Sequence, residues 1–474
     1  MRQTLFGLSR RAWAPVLFLV AYSMANAEGT VDSASAIDKR LEQQEQLIQE
    51  LLKRIEQLEA DAMRSETGSA TQSAELPSPG EVGSPGDGSD GLVGQPFETQ
   101  QLLTRDQLIS DEFPGSWPMF GSDMRMKIGG YLKTDFVADF DGTRDPTQFL
   151  MRTIPVEGEP DYGGDAYVDF FAKETRFNLD IRRVIPGSVP LRGFIEGDFF
   201  TDGNRFRLRH AYITAGNFIV GQTWTTLSFL EALPFMIDFA AGDALFGGRA
   251  AQVRYQHVVN DRWKVSLALE ELQFLGIENP NDLPGKATTQ WPLVALRADY
   301  RYDSGVVFLG SSIGQLHWDG AANEPSDSAI QLSLVAAGRQ NLGDRAFATW
   351  QLSYSEGGGE NIMAFAGTDA NAVLDANGNL ETFPSFSALL GFGYDWTPTL
   401  SSNASYAYGW LDTPDTRAPF ALKRGGVGHV NLIWEPNNNK HFSTGAEFMW
   451  GKIRVQNDAT GDATRLQLMA KFEF

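Results

Sequence analysis

The chain has 474 residues, with 60 acidic against 39 basic side chains and a formal net charge of -21 at pH 7. This acidic balance argues against nucleic acid as a partner. After the first thirty residues, no run is long and apolar enough for a membrane-spanning helix, which needs about 20 residues, whereas the alternating strands of a β-barrel would be only moderately hydrophobic and are not excluded.

Residues 1–27 have the three parts of a secretory signal peptide. Three arginines supply positive charge, residues 12–24 form a short apolar core, and the Ala-Asn-Ala sequence at 25–27 is a small-residue cleavage site. We therefore expect an exported protein that is cleaved after Ala27.

Residues 33–64 have the heptad pattern of a coiled coil. The a positions are Leu41, Ile48, Ile55 and Ala62, and the d positions are Ile37, Gln44, Leu51 and Leu58. This pattern, with charged flanks, predicts an α-helix that self-associates. Isoleucine at a with leucine at d favours two chains, but the polar layer at Gln44 also permits three, so the number stays open. The alternative is a single amphipathic helix that lies on the rest of its own chain.

Residues 65–116 are predicted to form a linker and lead-in. The part from Gly68 to Gly94 is rich in glycine, proline, serine and acids and offers almost nothing to bury. We expect it to be extended and disordered. The folded domain is then predicted to cover residues 117–474.

From Met126 the sequence changes to a period of two. In the first such segment, apolar Leu132 and Phe136 alternate with polar Lys133 and Asp135. Successive side chains of a strand point to opposite faces, so each segment predicts a strand with one apolar and one polar face. We count about sixteen of them, a number used by barrels that enclose water.

The last strand, Arg465–Phe474, has the clearest alternation. One face has Leu466, Leu468, Ala470, Phe472 and Phe474, and the other has Arg465, Gln467, Met469, Lys471 and Glu473. By itself it would also suit a half-exposed strand of a soluble sandwich. The connections decide between the two, because short turns alternate with long loops along the chain, as in an up-and-down membrane barrel. The predicted fold is an all-β membrane protein, a transmembrane antiparallel β-barrel with an N-terminal α-helical coiled-coil extension.

The third of the predicted outer loops, Thr225 to Arg249, is far more apolar than an exposed loop. Its sequence, TTLSFLEALPFMIDFAAGDALFGGR, is rich in phenylalanine, leucine and methionine, which must be covered. Folding into the lumen would cover the loop and narrow the pore. The alternatives are a contact between subunits and an external cap.

Arginines mark the predicted lumen wall. In the fourth strand, Arg205, Arg207 and Arg209 share one face, and the opposite face has Phe206, Leu208 and Tyr212. Arg176 and Arg182 lie on the corresponding face two strands earlier. Arginine facing lipid costs about 2–4 kcal/mol at the bilayer midplane, so this row is expected to face the lumen and attract anions.

The alternative is that these arginines pair with acids of the same region. The possible partners are Asp180, Glu196, Asp198, Glu231, Asp238 and Asp243. Pairing with acids and attraction of anions are compatible roles for these arginines. The candidate constriction comprises Arg176, Arg182, Arg205, Arg207, Arg209, Glu231, Asp238 and Asp243.

An enzymatic function is not indicated. The histidines, His210, His257, His317, His429 and His441, are scattered without metal-ligand spacing, and there is no G-x-S-x-G motif. We expect no cofactor, no bound metal and no catalytic residue.

Two stretches carry a family resemblance. WPMFGSDMRMKIGGYLKTDF and RFRLRHAYITAGNFIVGQTWTT resemble the DcaP-like porins of Gram-negative bacteria. Phosphate-selective porins are similar in the arginine-rich stretch and in the strand that contains Gly-Gln. The resemblance to the DcaP-like porins implies a homotrimer with one channel per chain, a periplasmic coiled coil, and uptake of small organic anions such as dicarboxylates. It also implies a constriction formed by Arg205, Arg207, Arg209 and the loop from Thr225 to Arg249.

The sequence thus favours an outer-membrane porin for passive, anion-biased diffusion of small solutes. Its expected partners are small anionic solutes, outer-membrane lipid and two further copies of the chain, and the coiled coil could also bind peptidoglycan or another periplasmic component. The alternatives are a phosphate-selective porin and an envelope tether or adhesin for which the barrel is only an anchor.

Overall fold

The computed structural model describes residues 113–474 apart from 114, 120–122, 184–188, 241, 323 and 437–440. The expected signal peptide, coiled coil and most of the linker lie outside the described residues. Within the described ranges, no helix combines the length and hydropathy needed to cross a membrane.

The described residues form 22 strands. They are β1 (Trp117–Pro118), β2 (Met124–Asp139), β3 (Tyr167–Phe171), β4 (Arg176–Arg183), β5 (Leu191–Asp198), β6 (Arg207–Ala215), β7 (Phe218–Trp224), β8 (Arg249–Val258), β9 (Trp263–Glu270), β10 (Ile277–Glu278), β11 (Gly285–Thr288), β12 (Leu293–Tyr302), β13 (Gly305–Gly320), β14 (Asp327–Asn341), β15 (Ala346–Glu356), β16 (Ala372–Leu374), β17 (Leu380–Thr382), β18 (Pro384–Thr397), β19 (Leu400–Leu411), β20 (Leu422–Trp434), β21 (Phe442–Val455) and β22 (Thr460–Glu473). Short 3-10 helices occur at Met151–Thr153, Asp202–Asn204, Leu230–Ala232, Gly359–Asn361 and Met363–Phe365.

The main sheet closes on itself as a barrel. One edge of β2 pairs with β22, where Asp139 is opposite Arg465, and its other edge pairs with β3 and β4, where Tyr131 is opposite Arg176. Since β3 and β4 together make one barrel strand and β11 extends β12, the described residues form a sixteen-stranded antiparallel closed barrel. The barrel predicted from the alternating segments is confirmed. A small second sheet of β10, β16 and β17 lies among the loops.

The strands alternate in the way that the sequence predicts. In β22, Gln467 is 1% exposed and faces inward, whereas Leu468 is 41% exposed and faces outward. In β2, Lys133 and Asp135 are buried inside the barrel, while Leu132 is half exposed on its outer surface. The outer surface is therefore apolar and the inner wall polar, the arrangement that a membrane barrel requires.

A β-bulge in β6 interrupts this alternation of inward and outward side chains. Glu196 of β5 is opposite His210, but the next residue, Gly197, is opposite Leu208, so Arg209 is the extra residue. Beyond the bulge, Tyr212 is buried inside the barrel. The prediction that Tyr212 faces outward with Leu208 is wrong, because one inserted residue reverses the alternation.

Long loops lie at one end of the barrel and short turns at the other. The loops are L1 (140–166), L2 (199–206), L3 (225–248), L4 (271–292), L5 (321–326), L6 (357–383), L7 (412–421) and L8 (456–459). The turns at the opposite end include 216–217, 259–262, 303–304, 342–345 and 398–399. This alternation is the one that the sequence predicts.

The apolar core lies inside the barrel, between the loops and one side of the wall. Phe149 of L1, Phe229 of L3 and Phe365 of L6 pack in one buried cluster with Leu389 and Val427 of the inner wall. The loops thereby fill one side of the lumen and leave the opposite wall, formed by β4 to β8, to face the remaining space.

Candidate pore constriction

L3 folds into the barrel, as its apolar sequence predicts. The Thr349 hydroxyl of β15 donates to the carbonyl oxygen of Ala232 at 2.8 Å, and the Ser387 hydroxyl of β18 donates to that of Ala244 at 2.8 Å. Both hydroxyls belong to the inner wall, so the loop crosses the lumen and lies on the far side. Its apolar side chains, such as Leu245, are buried there rather than in a contact outside the barrel.

The tip of L3 is held from two directions. The Glu447 carboxylate of β21 accepts the backbone N–H of Ile237 at 2.6 Å and that of Asp238 at 3.2 Å. From β2, the Lys133 ammonium donates to the carbonyl oxygen of Ile237 at 2.6 Å. Charge-assisted hydrogen bonds of this kind are about twice as strong as neutral ones, so they fix the position of the tip.

Two of the predicted site acids join L3 to L1. Asp238 accepts the backbone N–H of Phe149 at 3.2 Å, and Asp243 accepts that of Met151 at 2.6 Å. Burial raises the pKa of Asp238 to about 7 and that of Asp243 to about 6. Asp238 also lines the cavity described below, whereas Asp243 is enclosed between the loops.

The wall facing L3 has a cluster of arginines and carboxylates. Arg209 bridges two acids, with Nε 3.1 Å from Oε1 of Glu196 and Nη1 2.8 Å from Oδ2 of Asp198. Arg207 pairs with Asp198 at 2.8 Å, and Arg176 lies 3.5 Å from Glu196. Three guanidinium groups therefore share two carboxylates, which leaves an excess of positive charge on this wall.

Aromatic rings support the arginines. Arg207 and Arg209 each lie with the guanidinium carbon 5.5 Å from the centre of the Phe239 ring in L3, and Phe239 stacks on Phe200 of L2 at 4.2 Å. Cations are attracted to ring faces, so L2 and L3 help to hold the two side chains on the wall.

Arg249, at the start of β8, adds a fourth guanidinium to the cluster. Its guanidinium carbon is 4.8 Å from the centre of the Trp224 ring. Its backbone pairs with Trp224 in the ladder, but among the described residues its guanidinium has no hydrogen bond and no carboxylate within ion-pair distance. Strand alternation groups Arg249 with outward-facing Val253, so Arg249 enters the predicted constriction only as the last residue of the loop from Thr225 to Arg249 and not as a separate site residue. The cost of exposing arginine to lipid is the signal that could have found it.

A cavity of about 330 Å³ lies between L3 and this wall. Its charged and polar lining includes Gln148, Arg152, Arg176, Glu196, Arg207, Arg209, His210, Asp238, Arg249, Gln273 and Glu360. Glu360 directs its carboxylate to backbone N–H groups, at 2.9 Å from Gly276 and 3.0 Å from Asp369. The volume suits a small organic molecule, and the guanidinium groups suit an anion.

The other predicted site residues lie elsewhere. Arg205 precedes β6 and is exposed, so the prediction that it shares a strand face with Arg207 is wrong. Arg182 lies near the turn end of the barrel and pairs with Asp180 at 2.9 Å, and Glu231 lies 3.5 Å from Arg301. The structure therefore brings together Arg176, Arg207, Arg209 and Asp238 from the predicted set, with Arg249 from the predicted loop, and adds Arg152 and His210. In the described part of the chain, no group of histidines and acids is arranged to hold a metal ion.

Comparisons with known proteins agree on the fold. A family model described as DcaP outer membrane protein matches residues 113–474. The crystal structure of the outer membrane channel DcaP of Acinetobacter baumannii is 20% identical, covers 75% of this chain and 99% of its own, and superposes with a TM-score of 0.63. An anion-selective porin from Comamonas acidovorans is 11% identical, with coverages of 74% and 100% and a TM-score of 0.52. No curated protein matches the sequence.

Proposed function

This chain belongs to the DcaP outer membrane protein family, a family of outer-membrane channels, and we propose that it conducts small anions by passive diffusion through the cavity beside L3. Organic carboxylates are the proposed solutes. The long loops then face the outside of the cell and the short turns face the periplasm, as in other outer-membrane barrels.

The observation that supports anion conduction is the unbalanced charge on the wall opposite L3. Arg176, Arg207 and Arg209 share Glu196 and Asp198, and Arg249 has no carboxylate partner among the described residues. A planar guanidinium can bind a carboxylate through two parallel hydrogen bonds.

The remaining acids in the cavity oppose this charge only weakly. Burial holds the pKa of Asp238 at about 7, so its carboxyl is partly protonated at neutral pH. The Glu360 carboxylate is occupied by backbone N–H groups of L4 and L6. The field in the cavity is therefore positive, which raises the local concentration of anions. Binding has to remain weak, because a channel must release each solute that it binds.

The experiment is conductance of the purified protein in planar bilayers with a panel of potassium salts. We expect chloride and succinate to permeate better than potassium, with succinate causing brief interruptions of the chloride current. A much stronger interaction with phosphate than with succinate would instead favour a phosphate-selective channel. Absence of any conductance would favour an envelope tether or adhesin.

We also propose that the chain forms a homotrimer whose residues 33–64 make a coiled coil in the periplasm. The heptads support self-association, and the polar layer at Gln44 permits three chains. Native mass spectrometry of the full-length protein and of a variant lacking residues 33–64 tests this, since a monomer in both cases would contradict it.

A further inference from the structure

We propose that Gln222, on the outer surface of the barrel, is a positioning residue for the constriction. Its side-chain amide stabilises the bulge in β6 that directs both Arg209 and His210 into the lumen. The inference rests on the proposed anion channel, since it assigns a function to Arg209, and it concerns a side chain that cannot touch a solute.

The bulge determines where Arg209 points. Leu208 is 46% exposed on the outer surface, whereas Arg209 and His210 are 3% and 2% exposed inside the barrel. Without the extra residue, Arg209 would be opposite Gly197 and would face outward, because His210 faces inward opposite Glu196. An outward arginine would be exposed to lipid, and Arg209 could no longer reach Asp198.

On the β7 side, the strand ladder stops short of the bulge. Pairing between β6 and β7 ends at Ala211 and Gln222, so the carbonyl oxygens of Leu208 and Arg209 lie beyond it. A buried carbonyl without a donor costs about 1–3 kcal/mol, and lipid cannot supply a donor. A bulge on the wall of a membrane barrel therefore needs a hydrogen-bond donor from the protein.

Gln222 supplies that donor. Its Nε2 lies 3.1 Å from the carbonyl oxygen of Arg209 and 3.5 Å from that of Leu208. Gln222 is opposite Ala211 on the outward-facing side of β7, where its neighbours on the same face are apolar, such as Val220. A polar amide on that surface is explained by the carbonyl groups that it satisfies.

The neighbours of Gln222 hold the same bulge from the other side. On the lumen face, the Thr223 hydroxyl lies 3.0 Å from Nδ1 of His210. Gly221 has a φ of 125°, and a Cβ there would lie 2.3 Å from the carbonyl oxygen of Ala211. Glycine thus permits the close approach of β7 to β6, Thr223 fixes His210 inside, and Gln222 satisfies the carbonyls outside.

The test measures the anion-to-cation permeability ratio in planar bilayers for Gln222→Met, which keeps the side-chain volume and removes the donor. We expect the ratio to fall by about twofold or more, in the range of coupling between interacting residues. In the background of Arg209→Ala, Gln222→Met should cause no further fall. In the background of Arg207→Ala, it should cause its full effect. Val220→Leu on the same outer face is the matched control and should leave the ratio unchanged.

The outcomes separate this inference from the proposed function. If Arg209→Ala lowers the ratio and Gln222→Met does not, Gln222 has no positioning role and the anion channel stands. If neither the wild type nor Arg209→Ala shows any anion preference, the proposed function fails. If Gln222→Met gives no folded barrel by its heat-dependent mobility on gels, Gln222→Ser, whose hydroxyl is too short to reach Arg209, replaces it, and a wild-type ratio in that variant overturns the inference.

Discussion

The carboxylate of Glu447 accepts the backbone N–H of Ile237 at 2.6 Å, which joins the tip of L3 to the inner wall of β21. His429 and Asn431 of β20 also bond to this carboxylate, at 3.0 Å each. This buried acid and its partners therefore help to set the position of the L3 tip, and so the width of the space facing the arginine wall.

We expect Glu447→Gln to loosen the tip of L3. The substitution keeps the shape of the side chain but removes the charge and one acceptor, which should cost about 1–3 kcal/mol for the groups left without partners. Single-channel recordings should show more frequent transitions between current levels, and the thermal unfolding temperature should fall. Asp462→Asn on the exposed end of β22 is the control. A variant with wild-type current and stability would show that Glu447 does not hold the loop.

Arg249→Ala should weaken the interaction with anions without affecting the barrel. Loss of one charge-assisted contact of about 1.5 kcal/mol corresponds to roughly tenfold weaker binding of succinate, measured by current interruptions. Arg249→Lys should retain part of the effect, because it keeps the charge but not the planar group. Arg183→Ala, which removes an exposed pair with Asp123, serves as the control and should not change succinate binding.

The stability of the protein should depend on pH through L3. Burial raises the pKa of Asp238 to about 7 and that of Asp243 to about 6, so the folded state binds these protons more tightly than the unfolded chain. The docked loop therefore gains stability as pH falls through these values toward the ordinary pKa of aspartate, and it has lost this contribution once the pH lies above them. We expect the unfolding temperature to rise from pH 8 to about pH 5. Asp238→Asn should flatten this dependence, and Asp165→Asn on exposed L1 should not.

The loops over the pore should separate when Arg417 is removed. The Arg417 guanidinium of L7 lies 3.1 Å from Glu278 of L4 and donates to the carbonyl oxygen of Thr368 of L6 at 2.9 Å. Breaking a fully buried pair costs about 3–5 kcal/mol, and the cost here should be lower because the Glu278 side chain is 16% exposed. In Arg417→Ala, amide hydrogen exchange in L4 and L6 should become faster, whereas Arg454→Ala, in an exposed pair with Asp458, should leave it unchanged. Equal exchange in both variants would contradict the role of Arg417.

The sequence predicts the barrel well because each strand encodes its own two faces. Arg465 and Lys471 face inward and Phe472 faces outward in β22, as local alternation requires. The inward position of L3 is also predictable, since an exposed apolar loop would be unstable.

The details of the site are less predictable. One inserted residue, Arg209, reverses the inward and outward alternation in β6 and places Tyr212 inside the barrel. The local sequence pattern does not predict such a bulge. Arg249 reaches the cavity from a position that alternation assigns to the outer face. The meeting of Asp243 with Met151, 92 residues apart, depends on how L1 and L3 fold together within the closed barrel.

The zero-current potential of the wild-type channel across a potassium chloride gradient tests the central claim most directly. If the arginine wall sets the selectivity, the potential has the sign of a chloride-preferring channel, and the triple variant Arg207→Ala, Arg209→Ala, Arg249→Ala brings it close to zero. A cation-preferring wild type, or a triple variant with the wild-type potential, would contradict the account.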